Sequence, residues 1–256
     1  MASEHFKNIE YDKTFYVDPD VYSKVVLMSD IHGEYDKYLK IKKALNNFDG
    51  CLVGCLGDIV DRGPDSPSLL KECMNPQGFD LFMTLGNHEW MLLDYLLHDR
   101  PENRPYYYNT GQQLKDASDE EISAIIDWLQ SLPLSLNLVI AGQTYELSHA
   151  SIIDYENYDP EDMIWCSRIR RLLYSGESIL RLRGTCAVVG HNPTRMIRDF
   201  VGAETQRGSE NDIYSIGNRL FFLDCGCGKP DARGNNKLGA LVIDTRTGQL
   251  SEVYAE

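Results

Sequence analysis

This sequence of 256 residues has no long apolar run and no leader-like start, and its basic side chains are fewer than its acidic ones. No apolar run approaches the roughly 20 residues of a membrane-spanning helix, so we expect no membrane association. The first residues show neither the basic start nor the apolar stretch of a signal peptide, which predicts a cytoplasmic location. Lys and Arg total 25 against 39 Asp and Glu, a formal net charge of −14. Because so acidic a surface repels a nucleic-acid backbone, we expect no nucleic-acid partner.

Cysteine is present in an odd number, seven residues, several of them in predicted strands. This usage is typical of reduced thiols that pack as small apolar groups. Cys225 and Cys227 form a CxC in a glycine-rich turn. A metal site there would need further soft ligands, and none is evident nearby in the sequence. We therefore expect the cysteines to be structural.

The overall composition is that of an ordinary globular protein, with 43% hydrophobic and 25% charged residues. Such a chain can bury a sizeable core, and one domain over residues 1–256 is the simplest division. Residues 1–23 are polar and aromatic without a clear period, which predicts an extended arm lying on that domain. Residues 99–136 predict an excursion of loop and helix.

Within this excursion, residues 99–116 are rich in turn formers and tyrosine. They form either a surface loop or a rim over a functional site, and the sequence does not separate the two. Ser118 followed by Glu121 predicts a capping box at the start of a helix. Later in the chain, residues 228–236 predict a long turn.

In the first hundred residues, an apolar run is followed three times by a segment whose apolar residues recur at helical spacing. Residues 24–28, 51–56 and 79–85 predict strands, and each is followed by a polar motif and a helical pattern. This alternation favours βαβ units with parallel strands. The second half of the chain is richer in strand patterns.

Polar side chains stand where the predicted strands end. In a parallel sheet these ends lie at one edge, where α/β proteins usually bind ligands. A lone histidine at a strand end is usually structural, but four of the six histidines occupy such positions. Together with the neighbouring carboxylates they favour a metal site. The candidate residues are Asp30, His32, Asp58, Asn87, His88, His149 and His191.

Oxygen and imidazole ligands without thiolates suit divalent first-row cations. The ligands are too many for one ion with open positions. Two ions about 3.5–4 Å apart, bridged by a carboxylate, fit their number. Asp58 is the best bridge because it is central in the set. We favour Mn²⁺, with Fe, Zn or Co as alternatives.

The motifs taken together resemble the phosphoprotein phosphatase branch of the calcineurin-like metallophosphoesterases, most of all its small bacterial and phage serine/threonine phosphatases. The resemblance covers roughly residues 24–245, and its three leading motifs stand in the family order. It implies an α/β fold in which helices flank a β-sandwich, with the site at the carboxyl ends of strands. That expectation replaces the doubly wound sheet suggested by the alternation alone. The motifs are DIHG at 30–33, GDIVDRG at 57–63, GNHE at 86–89, His149, and GH at 190–191.

The resemblance also implies a distribution of the ligands between two metal ions, with Asp58 common to both. The first ion would take Asp30, His32 and Asp58. The second would take Asp58, Asn87, His149 and His191.

By the same resemblance, His88 is expected to be the general acid, oriented by Asp61. Arg62 would hold phosphate oxygens, and Arg168 resembles a second phosphate-binding arginine, although its motif is short. The chain departs from the family in having Ser29 where a glycine is usual. Residues 223–228 also depart from the eukaryotic enzymes, which weakens any inference about their substrates.

These residues predict a metal-dependent phosphomonoester hydrolase. Two cations lower the pKa of a shared water, and the resulting hydroxide attacks phosphorus directly. Arg62 clamps the phosphate while His88 protonates the leaving oxygen. The expected partner is a phosphoprotein or a small phosphorylated substrate, with serine/threonine protein phosphatase as the first choice. A symmetrical diadenosine tetraphosphate hydrolase is the alternative, and a non-catalytic binding scaffold is a remote one.

Overall fold

The computed structural model of the protein describes residues 14–98, 108–151, 160–165, 185–204, 209–229 and 236–256. Two mixed β-sheets pack against each other around a shared apolar core, and helices cover their outer faces. The expected sandwich flanked by helices is therefore confirmed. In the described ranges, no helix combines the length and the apolar character needed to cross a membrane. The cytoplasmic location stays a prediction.

The first sheet has five strands in the order β11-β10-β2-β3-β4. Strands β2, β3 and β4 are parallel, as the alternating pattern predicts, and β10 runs antiparallel to both β2 and β11. The sequence pattern did not predict β11, in which only the last residue, Ala255, is buried. The strands of this sheet are β2 (Lys24–Met28), β3 (Cys51–Cys55), β4 (Asp80–Met83), β10 (Leu238–Asp244) and β11 (Leu250–Ala255).

The second sheet has six strands in the order β1-β5-β6-β7-β9-β8. Inside the predicted N-terminal arm, β1 pairs in parallel with β5, and residues 1–13 lie outside the described part. Strands β6, β7 and β9 are parallel neighbours. The strands are β1 (Thr14–Tyr16), β5 (Ser135–Ile140), β6 (Gln143–Ser148), β7 (Thr185–Val189), β8 (Tyr214–Ile216) and β9 (Leu220–Phe222).

The alternation of side chains along each strand explains how the sheets and helices form layers. Val26 and Met28 of β2 face the helices, while Val25 and Leu27 face the second sheet, because successive side chains of a strand point to opposite faces. On the far side of the second sheet, Ile197 packs against its outer face. The helices are α1 (Tyr35–Ala44), α2 (Ser66–Met74), α3 (Asn87–His98), α4 (Tyr108–Gln113), α5 (Asp119–Ser131), α6 (Pro160–Trp165) and α7 (Thr194–Val201).

The capping box predicted for α5 is present. Ser118 Oγ accepts the N–H of Glu121 at 3.2 Å, and the Glu121 carboxylate accepts the N–H of Ser118 at 2.8 Å. One expectation needs correction, because residues 108–113 of the predicted loop form helix α4. The sequence pattern also gave no prediction for helix α7.

Candidate active site

The site residues follow strands of both sheets, so the expectation of one shared parallel edge is wrong. Three short segments leave β2, β3 and β4, and two others leave β6 and β7 of the second sheet. A main-chain bond from Gly190 N to His149 O (2.7 Å) joins the two segments of the second sheet. The main-chain N–H of His191 donates to the side-chain Oδ2 of Asp30 at 2.8 Å, which ties these segments to the first sheet. The convergence therefore depends on the packing of one sheet on the other.

The site backbone is folded tightly and is not extended. Asp30 and His32 have φ of 53° and 51°, which lie in the left-handed region. Asp58 has φ 55°, and such left-handed conformations cost free energy in residues other than glycine. Gly57, at φ 80°, is required by space, because a Cβ there would lie 2.6 Å from Gly86 Cα.

The His32 imidazole presents an unsatisfied lone pair to the site. Its Nδ1 lies 3.0 Å from the carbonyl oxygen of Val60, so Nδ1–H donates there and Nε2 is unprotonated. Nε2 is buried and has no hydrogen-bond partner among the described residues. It lies 3.8 Å from Asp30 Oδ1 and 3.7 Å from Asp58 Oδ2. A buried lone pair facing two carboxylates fits a cation between them.

A second group of polar side chains meets around Asn87, which begins α3. His149 Nδ1 donates to the Leu56 carbonyl at 2.7 Å, and its Nε2 lies 2.9 Å from Asn87 Oδ1. Burial opposes protonation of His149, but Asp58 outweighs it and raises the pKa to about 10, so Nε2 carries a proton when no cation is bound. His191 Nδ1 also lies 2.9 Å from the Asn87 oxygen. With the amide reversed, its N–H₂ would donate to both imidazoles and to Asp58 Oδ2. The amide orientation therefore depends on whether a cation or a proton lies between these atoms.

Asp58 belongs to both groups. Its Oδ2 faces His32, and its Oδ1 lies 3.4 Å from His149 Nε2. Two sets of side chains have ligand atoms within 4.8 Å of one another, His32 with Asp58 and His88, and Asp58 with His149 and His191. These histidines and aspartates are able to bind metal.

Burial and neighbouring charges shift the pKa values of several site groups. Burial raises the pKa of Asp30 to about 7, and nearby Asp224 and Asp58 raise it too. Burial also opposes ionisation of Asp58, but the His149 and His88 imidazoles outweigh it and hold that pKa well below its usual value. Burial, followed by repulsion from His149, lowers the pKa of His191 to about 3. A neutral His191 is a competent metal ligand.

His88 and Asp61 form a hydrogen-bonded pair beside the donor groups. His88 Nδ1 lies 2.8 Å from Asp61 Oδ2, and its Nε2 lies 3.1 Å from Nη2 of the exposed Arg62. Burial opposes protonation of His88, yet Asp58 and Asp61 raise its pKa above the ordinary value. An imidazole whose pKa is raised and whose Nε2 faces an arginine able to bind phosphate is suited to donating a proton.

Two buried carboxylates near the site had no predicted role. Glu89 is the last residue of the GNHE motif, so the sequence contained a signal for it. Asp224 accepts the Gly226 N–H at 2.9 Å and pairs with Lys229 Nζ at 2.6 Å. Arg168 and residues 230–235 of the predicted 228–236 turn lie outside the described residues.

Comparison with known proteins identifies a family and two kinds of relative. The calcineurin-like phosphoesterase model matches residues 23–216. Serine/threonine-protein phosphatase 2 of Salmonella typhimurium is 25% identical over 217 residues, which are 80% of this chain and 95% of that protein. A Saccharomyces cerevisiae protein serine/threonine phosphatase structure has TM-score 0.63 at 14% identity, covering 100% of this chain and 86% of that one, which is a likeness of fold.

The second kind of relative is the symmetrical bis(5'-nucleosyl)-tetraphosphatase. The proteins of Paracidovorax citrulli and Delftia acidovorans are 28% and 30% identical over 170 and 191 residues, 64% and 74% of this chain. The chain spans 55% and 64% of their respective lengths.

Proposed function

The chain belongs to the calcineurin-like phosphoesterase family, and we propose that it hydrolyses phosphoserine and phosphothreonine in proteins. One observation carries the proposal, the His88–Asp61 pair beside exposed Arg62. Serine and threonine leave phosphorus as strongly basic alkoxides, so their esters require a proton donor at the leaving oxygen. A nucleoside diphosphate leaves as a weakly basic phosphate and needs a donor much less.

The donor set fits two divalent cations, as the unsatisfied Nε2 of His32 indicates. When bound, such ions supply a water of lowered pKa and positive charge for the phosphate oxygens. Oxygen and imidazole donors suit Mn²⁺, which we propose, and also Fe, Zn and Co. Asp30, His32 and Asp58 would hold one ion, and Asp58, Asn87, His149 and His191 the other.

The other side chains position the ester. The guanidinium of Arg62 binds phosphate oxygens, and its Nη2 lies 3.1 Å from His88 Nε2. A phosphate held by Arg62 therefore brings its leaving oxygen to the imidazole. Asp61 accepts the Nδ1–H of His88 and so directs Nε2 toward the ester.

A pair of tryptophans favours the second candidate, symmetrical hydrolysis of diadenosine tetraphosphate. Trp165 is 38% exposed, and its ring meets that of Trp90 edge to face at 6.4 Å. Trp90 lies one turn of α3 beyond Asn87. An exposed indole near the donor groups offers a surface on which a nucleobase stacks.

A substrate comparison tests both candidates. We expect a higher kcat/KM for a phosphothreonine peptide than for diadenosine tetraphosphate with Mn²⁺ added. The reverse order, together with loss of tetraphosphate hydrolysis in Trp165→Ala, would establish the second candidate. Asp58→Asn should abolish both activities and lower the bound metal measured by elemental analysis, whereas exposed Asp127→Asn should change neither. Equal rates in wild type and Asp58→Asn would refute metal-dependent hydrolysis altogether.

A further inference from the structure

Helix α4 lies against the turn that carries Asp61 and Arg62, although none of its residues belongs to a recognised motif. The side-chain amides of Asn109 and Gln113 both donate to the Gly63 carbonyl, each at 3.0 Å. Gln113 Oε1 also accepts the N–H of Ser66 at 2.8 Å. Polar contacts of this number attach α4 to the turn in one orientation.

Thr110 is the residue of α4 that reaches Asp61 itself. It is fully buried, and its Oγ1 lies 2.7 Å from Asp61 Oδ1. The Thr110 N–H donates to the same oxygen at 3.2 Å, and the Asp61 N–H donates to Oγ1 at 2.9 Å. The hydroxyl also lies 3.1 Å from Ser66 Oγ, and its proton goes to the carboxylate because that acceptor is nearer and charged. Thr110 therefore holds both the backbone and the side chain of Asp61.

The two oxygens of Asp61 thus have different partners. Oδ1 receives the hydroxyl and N–H of Thr110, and Oδ2 receives Nδ1–H of His88. The plane of the carboxylate is fixed by the first set of bonds, and the second set depends on that plane. Without the hydroxyl, Oδ1 would be buried with one donor fewer, and the carboxylate would be freer to turn from His88.

A close helix contact keeps Thr110 in register with the acid. Gly111 follows it directly, and a Cβ at Gly111 would lie 2.6 Å from Cε1 of Tyr95 on α3. Helix α3 also carries His88. The approach of α4 to α3 therefore sets the distance between the threonine and the imidazole.

We propose that Thr110 is a positioning residue for proton donation, acting through Asp61 on His88. The proposal deepens the function proposed above and rests on the general-acid role of His88. It assigns a function to part of the 99–116 segment, which the sequence left open between surface loop and rim.

The test compares Thr110→Val, which keeps the shape and removes the hydroxyl, with Thr110→Ser, which keeps the hydroxyl. Phenyl phosphate has a basic leaving group that needs the acid, and 2,4-dinitrophenyl phosphate has one that does not. We expect Thr110→Val to lower kcat on phenyl phosphate by about tenfold or more, with little change on the dinitrophenyl ester. Thr110→Ser should restore most of that loss.

Two further measurements separate positioning from stability. Thr245→Val is the matched control, because Thr245 is a buried threonine that donates to the Tyr22 carbonyl at 2.5 Å and lies in the turn after β10, outside the site. Thr245→Val should lower the stability of the protein without changing the ratio of kcat on the two esters. In metal-free protein, the long-range ¹H–¹⁵N spectrum should show that Thr110→Val changes the His88 ring resonances more than Thr110→Ser does. If Thr110→Val does not fold, Thr110→Ala against Thr110→Ser gives the same comparison, since both lack the methyl group.

The outcomes distinguish this proposal from the one on which it rests. The role of Thr110 would be overturned if Thr110→Val lowered kcat equally on both esters, or on neither, while His88→Asn lowered kcat selectively on phenyl phosphate. If His88→Asn shows no such selectivity, the general-acid role fails, and the proposal for Thr110 fails with it. Selective loss in both Thr110→Val and His88→Asn supports the two together.

Discussion

The carboxylate of Glu89 accepts the main-chain N–H of Asp58 at 2.6 Å. It also accepts the N–H of Ile59 at 2.8 Å and that of Gly86 at 3.1 Å. Burial and the charge of Asp58 raise the pKa of Glu89 to about 7, while the bond from the Asp58 main chain opposes this. The fully buried Glu89 of α3 thus holds the left-handed turn at Asp58. This turn places Asp58 in both sets of candidate metal ligands.

Replacing this carboxylate should therefore damage the site. Glu89→Gln substitutes an N–H₂ group for an oxygen that faces main-chain donors, and we expect a loss of about 1–3 kcal/mol of stability. Bound metal per protein should fall as well, because Asp58 loses its support. Urea unfolding and elemental analysis measure the two effects. The exposed Glu120→Gln is the control, and a Glu89→Gln protein with normal metal content would contradict this role.

Asp61→Asn should change the pH dependence of hydrolysis. Asp61 raises the pKa of His88, so removing its charge lowers that pKa. The acid form is then lost at a lower pH, and the high-pH limb of the kcat/KM profile on phenyl phosphate should move toward acid. Either orientation of the asparagine amide turns its N–H₂ toward a donor, His88 Nδ1–H or Thr110 N–H, so we expect kcat to fall as well. A limb that stays in place or moves toward alkali would count against His88 as the acid.

Gly57→Ala and Gly142→Ala separate backbone strain from steric overlap. The two glycines have φ of 80° and 79°, so both substitutions force alanine into the left-handed region. A Cβ at Gly142 meets nothing within 4 Å, and its cost should be about 1–2 kcal/mol. A Cβ at Gly57 would also lie 2.7 Å from His149 Nδ1, so we expect a larger loss of stability and of bound metal. Equal unfolding midpoints for the two variants would show that the contact at Gly57 is unimportant.

Ser118→Ala should weaken helix α5 without touching the site. The substitution removes the hydroxyl that accepts the Glu121 N–H, at an expected cost of about 1 kcal/mol. Glu121→Gln keeps both bonds of the box and should cost much less. Thermal unfolding compares the variants, and kcat should be unchanged in each. A fall in kcat for Ser118→Ala would mean that α5 influences the catalytic groups.

Part of the fold was predictable because its signals are local. The parallel strands β2, β3 and β4 show as apolar runs between helical patterns, and α5 shows by its capping box. Helix α4 was not predictable in this way. Its sequence YNTGQQ has no apolar period, and its contacts are polar bonds to a turn about 50 residues earlier in the chain.

By itself, the sequence determined which chemistry is available: the carboxylates, imidazoles and arginine of the motifs, and the family to which they belong. Tertiary structure alone decided how these groups meet. Packing of two sheets brings His149 and His191 to Asp58, and left-handed turns aim the side chains. Docking of α4 selects Thr110 as the partner of Asp61. Such contacts join residues far apart in the chain, and their distances depend on the packing of whole elements, which no short stretch of sequence specifies.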